Sequence, residues 1–127
     1  MRRLDVIHRS LLPIAGVALT AATVSACSHT AVVGGDRTLR LALTEYRVVP
    51  QSVRASPGLL SIVVHNDGRL THNLTVSRGG TAVAQTAAVS PGASVELVIT
   101  VTRGQYQIAS TLLSDQTLGV YGTLTVG

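Results

Sequence analysis

Apolar residues recur at every second position in four stretches of the chain: Leu39, Leu41 and Leu43; Leu60, Ile62 and Val64; Val95, Leu97, Ile99 and Val101; Leu124 and Val126. In an extended chain alternate side chains share one face, so each stretch predicts a strand with one buried side. Turn-forming sequences separate the runs: Pro50 in VPQS, Ser56-Pro57-Gly58, Asn66-Asp67-Gly68, Arg78-Gly79-Gly80, Ser90-Pro91-Gly92 and Arg103-Gly104. Short strands at this spacing predict an all-β sandwich or barrel. The stretch GTAVAQTAAV, residues 80–89, stays open between a turn of helix and a strand. The two Ser-Pro-Gly turns do not amount to an internal repeat.

The N-terminal stretch breaks this pattern. A basic start, MRRLDVIHRS, precedes LLPIAGVALTAATV, an apolar run of about 14 residues, shorter than the roughly 20 that span a bilayer. It ends in the small residues Val24-Ser25-Ala26 before Cys27, and together these features read as a secretory signal. Val24-Ser25-Ala26-Cys27 resembles the lipobox of bacterial lipoproteins. The resemblance implies a diacylglycerol on the Cys27 thiol, further acylation such as palmitate, cleavage before Cys27, and residence on the extracytoplasmic face of a bacterial membrane. The organisation expected is a signal peptide over 1–26, an acylated cysteine and flexible tether over 27–37, including His29, and one domain over 38–127. Taking 26 residues from 127 leaves 101, which suits a single core.

Charge then removes one class of partner. Beyond the signal segment there are seven Arg, no Lys and five acidic residues, and the Arg are dispersed, so nucleic acid is not expected. Cys27 is the only cysteine, so acylation leaves neither a free thiol nor a disulfide. Stability must come from packed Val, Leu, Ile and Ala, with Tyr46, Tyr106 and Tyr121 as the only aromatic residues.

Catalysis needs a nucleophile with a base, a carboxylate pair or a metal. The side chains of interest are His65, His72, Asp115 and Glu96, and they form no constellation with a known catalytic logic, so no enzyme is expected. Each histidine stands beside a turn, and taken singly is expected to be structural or solvated.

The stretch VVPQSVRASPGLLSIVVHNDGRLTHNLTV resembles the cupredoxin family, small copper-binding β-sandwiches of the plastocyanin type. The likeness covers most of the domain and places His72 at the first copper histidine, with Asn73 completing a His-Asn pair. Towards the C-terminus, GQYQIASTLLSDQTLGVYGTLTV is similar to the family's closing strands and ligand loop when laid on it without a gap. Gly104, Tyr106, Gly119 and Gly122 match. Ser110 falls at the cysteine ligand, Asp115 at the second histidine and Val120 at the axial methionine, while Leu113 and Ser114 replace a Pro-Gly pair. The resemblance implies an all-β Greek-key sandwich; an immunoglobulin-like sandwich is the alternative the strand pattern allows.

A blue-copper centre needs a Cys thiolate with two His and a weak axial Met. The domain has no Cys and no Met, so type 1 copper electron transfer is excluded and no cofactor is expected, copper being at most weakly held. The expected function is a membrane-anchored binding or accessory domain for a protein or small-molecule partner. The alternative is copper or other metal handling through His72 with Asp115 and His65, Ser110 contributing to a remnant site.

Overall fold

The computed structural model describes Gly16, residues 29–112 and residues 119–127. Apart from Gly16 the signal segment, and also Cys27 and Asp115, lie outside the described residues. Ten strands follow one another: β1 (Thr30–Val32), β2 (Thr38–Leu43), β3 (Val48–Val49), β4 (Ser52–Ala55), β5 (Gly58–Asn66), β6 (Thr75–Arg78), β7 (Thr81–Gln85), β8 (Ser94–Val101), β9 (Gly104–Ala109) and β10 (Tyr121–Val126). They form a six-stranded sheet in the order β1-β4-β10-β9-β6-β7 and a four-stranded sheet in the order β3-β2-β5-β8. Among the described residues no helix is long and apolar enough to cross a membrane.

The period-two runs face inward as expected. Leu39, Leu41 and Leu43 of β2 meet Leu60, Ile62 and Val64 of β5, and across the sandwich lie Ile108 of β9 and Leu124 and Val126 of β10. Each fully buried aliphatic side chain contributes about 1.5–3 kcal/mol relative to an exposed one. Val95, Leu97 and Ile99 alternate as expected but are only half buried, because β8 is the edge of its sheet. The open stretch at 80–89 resolves as strand β7, paired antiparallel to β6 with a bulge between Val76 and Ser77.

The segment read as a flexible tether differs from that expectation. Within it Thr30–Val32 form strand β1, pairing in parallel with β4, and Val33 N–H donates to the Arg54 carbonyl at 2.9 Å. Thr-Ala-Val-Val is a β-forming sequence, and it covers the backbone groups that β4 would otherwise leave open at the sheet edge. His29 just before it is exposed.

The loops after β2, β5 and β9 converge at one end of the sandwich. At the other end Arg78 donates to the Tyr106 hydroxyl at 3.1 Å and to the Arg103 carbonyl at 2.8 Å, and Thr102 N–H donates to the same hydroxyl at 3.1 Å.

Candidate functional site

The end where three loops meet is organised by Asn66, the last residue of β5. The period that buries Leu60, Ile62 and Val64 also turns Asn66 inward, and it is fully buried. Its amide donates to the carbonyls of Leu70 and Val89, both at 2.8 Å, and accepts from Gly68 N–H at 2.9 Å. The Asn-Asp-Gly signal is thus a side-chain-closed turn. The turn aims two backbone N–H groups at Glu45 in the loop after β2: Leu70 N–H donates to Oε1 at 2.9 Å, and Arg69 N–H donates to the same oxygen. Oε1 also lies 3.7 Å from Nε2 of the fully buried His72. Gly68 lies close above this pair: a Cβ there would stand 3.1 Å from His72 Nε2 and would push the Glu45 carboxylate aside.

His72 is held by its own backbone, bridged to Val89 through hydrogen bonds of 3.2 and 2.7 Å. Asn73 then reaches the loop after β9. Its Oδ1 accepts from Thr111 N–H at 2.7 Å and from the Ser110 hydroxyl at 3.2 Å, and its own N–H donates to Ser110 Oγ at 3.2 Å. Ser110 N–H donates to the Val120 carbonyl at 3.0 Å, and Ser110 and Val120 are both fully buried. Gly119 closes the cluster in a left-handed conformation, φ 104°, where a Cβ would meet the Tyr46 carbonyl at 2.7 Å.

The structure therefore brings His72, Ser110 and Val120 to one end of the sandwich. It does not bring His65 there: adjacent to the inward Asn66, His65 turns outward, with Nδ1 2.7 Å from Ser94 Oγ and Nε2 3.1 Å from Asp67. Glu96 is also on the outer face, accepting from Ser61 at 2.5 Å. Among the described residues no three His, Cys, Asp or Glu side chains are grouped to hold a metal ion. Glu45 is the site member that the sequence did not disclose. It stands 27 residues before His72, in no motif, and only the Asn66 turn connects the two.

Hydrogen bonds from the Leu70 and Arg69 N–H groups hold the Glu45 carboxyl below its ordinary value, with the neighbouring His72 a minor contribution. A depressed carboxylate stabilises the fold above its ordinary range, and that contribution is lost as pH falls through the folded-state value. Glu45→Gln should therefore lower stability in the neutral region and leave the strongly acid region nearly unchanged, which flattens the acid limb of a stability-against-pH curve. Thermal unfolding from pH 7 to pH 3 checks this; an unaltered acid limb would contradict it.

The paired Greek-key sheets, closed at one end around a buried imidazole, define the cupredoxin sandwich. Solved structures carry the same fold: dithionite-reduced auracyanin of Roseiflexus castenholzii is 18% identical with a TM-score of 0.68, over 74% of this chain and 99% of that one. Auracyanin A of Chloroflexus aurantiacus, described as a blue copper protein, is 15% identical with a TM-score of 0.62, over 71% and 99%. The purple cupredoxin of Nitrosopumilus maritimus is 15% identical with a TM-score of 0.54, over 70% and 99%. By sequence the chain matches no described protein family and no curated protein.

The described residues at the closed end do not fit a type 1 copper. They offer an imidazole, a carboxylate, a neutral hydroxyl and an aliphatic side chain from His72, Glu45, Ser110 and Val120. The chain's only sulfur atoms belong to Met1 and Cys27, outside the segments that build this end. Without a thiolate there is no strong copper-sulfur bond to define such a centre.

Proposed function

We propose that the chain is a lipid-anchored, extracytoplasmic binding or accessory domain, non-catalytic, that uses the cupredoxin fold without type 1 copper electron transfer. The observation that carries this reading is the hydrogen bonding of Ser110: where the family resemblance implies a thiolate, a hydroxyl exchanges bonds with Asn73 and stitches two loops together. The partners are the membrane, through Cys27, and a protein or small molecule. The test is to add Cu(II) to the purified full chain in detergent and record the visible spectrum. No intense thiolate band is expected, and a blue protein would overturn the reading.

The anchor has its own test. Cys27→Ala should release the protein from membranes or leave the precursor uncleaved, as read from membrane fractions and the mass of the product. Unchanged behaviour in both would remove the lipoprotein assignment.

A second reading, loose metal handling through His72, is favoured by one contact, the Glu45 carboxylate 3.7 Å from its Nε2. Asp115, Ser110 and His65 are the other donors of that reading. So poor a set should have a high Kd, and linkage then gives less than about 1 kcal/mol of stabilisation at micromolar Cu(II). A large thermal shift abolished by His72→Ala would put this reading first.

A further inference from the structure

We propose that the outer face of the six-stranded sheet binds a neutral polyhydroxylated ligand, a glycan chain. This deepens the reading of the chain as a binding domain and rests on it, but uses a surface separate from the His72 end. The strand registers align Thr123 of β10, Gln107 of β9 and Ser77 of β6 in one cross-strand row. Gln105 lies two residues from Gln107 on the same face, and Tyr121 two residues from Thr123, its ring 43% exposed. With the Gly79-Gly80 turn these residues enclose a depression of about 350 Å³. That is at the small end of the roughly 300–1,000 Å³ typical of ligand sites.

The chemistry of the lining selects the ligand. It contains no charged side chain, so it offers no charge-assisted bond to a phosphate, a carboxylate or an ammonium group. Arg78, the nearest cation in sequence, is engaged with Thr102, Tyr106 and the Arg103 carbonyl. What remains are the amides of Gln105 and Gln107 and the aliphatic hydroxyls of Ser77 and Thr123, each able both to donate and to accept, which is what a row of sugar hydroxyls requires. A purely apolar ligand would leave those groups unpaired on binding, at a cost in affinity. The Tyr121 ring supplies the complementary part, a rigid amphipathic surface against which the C–H face of a pyranose can lie at little conformational cost. Gly79 and Gly80 have no neighbouring atom within 4 Å of where a Cβ would stand, so the rim beside the row is open to an extended chain.

The experiment is affinity electrophoresis of the full chain, in detergent, through gels containing glycogen, yeast mannan or hydroxyethylcellulose, with heparin as the anionic control. At least one neutral polysaccharide should retard the protein, and the retardation should weaken at least fivefold in Tyr121→Ala and in Gln107→Glu. Tyr121→Phe keeps the ring and should retain most of the effect, and Glu96→Gln, on the outer face of the other sheet, should behave as the original. Far-ultraviolet circular dichroism identifies any variant that fails to fold; the exposed Gln107→Glu then carries the test if Tyr121→Ala does not. Retardation by none of the neutral polysaccharides, by heparin alone, or equally in folded Gln107→Glu would overturn the proposal. In that case a protein co-purifying from membranes would still uphold the binding-domain reading, whereas a blue copper complex of the original chain would sink that reading itself.

Discussion

The combined variant Ser110→Cys, Asp115→His and Val120→Met should take up Cu(II) and show an intense visible thiolate band, and adding His72→Ala should abolish it. The expectation rests on the resemblance for Asp115 and on where the sandwich already puts Ser110 and Val120. Ser110 and Val120 are joined by a 3.0 Å backbone hydrogen bond, and both are fully buried beside the buried His72. The Asn73 N–H that now points at Ser110 Oγ would point at a sulfur in the same place, and a carboxylate beside His72 Nε2 favours the ring proton there and the lone pair on Nδ1. Two imidazoles, a thiolate and a weak thioether are the set that selects copper with strong charge transfer. A folded variant that binds no copper would mean that the gapless alignment of the loop after β9 is wrong.

Replacing Asn66 with Ala should cost about 3 kcal/mol, lowering Tm by about 12–24 °C for a domain of this size. The truncation strands the Leu70 carbonyl and the Gly68 N–H, takes one of two donors from the Val89 carbonyl, and leaves a buried void. It also frees the turn that points Arg69 and Leu70 at Glu45, so the acid limb of stability should change with it. The neighbour provides the control: His65 faces solvent, and its contacts with Ser94 and Asp67 are of the exposed kind that contributes less than about 1 kcal/mol. Equal losses in Asn66→Ala and His65→Ala would contradict this division of labour.

Adjacent positions also show what the sequence could and could not disclose. The alternation Leu60, Ile62, Val64 carries forward to Asn66 and therefore sends His65 outward, so the separation of the two histidines was present in the period. Turns with glycine or proline were legible for the same local reason. The resemblance to cupredoxins located His72 and Ser110 at one end. Glu45 was not legible, because its role arises from hydrogen bonds to backbone N–H groups 24 and 25 residues away, which no side-chain pattern encodes. Strand β1 was hidden by composition, since a short Thr-Ala-Val-Val segment among glycines reads as a linker until a parallel partner is known. The sheet-face depression was invisible because it is assembled by register between β6, β9 and β10.

Together with the proposed anchor, the pairing of β1 with β4 would fix how the domain stands. With a lipid on Cys27, three residue steps separate the anchor from Thr30, a leash of at most about 11 Å. The β1 edge of the six-stranded sheet is then pinned next to the bilayer, with Val32, 74% exposed, at that edge. Strands β9 and β6 lie three and four places further across the sheet, about 14–19 Å away at the usual strand spacing. On the proposed anchoring the domain would be mounted by one side, its orientation set by a strand, with the Gln107 row held away from the headgroups.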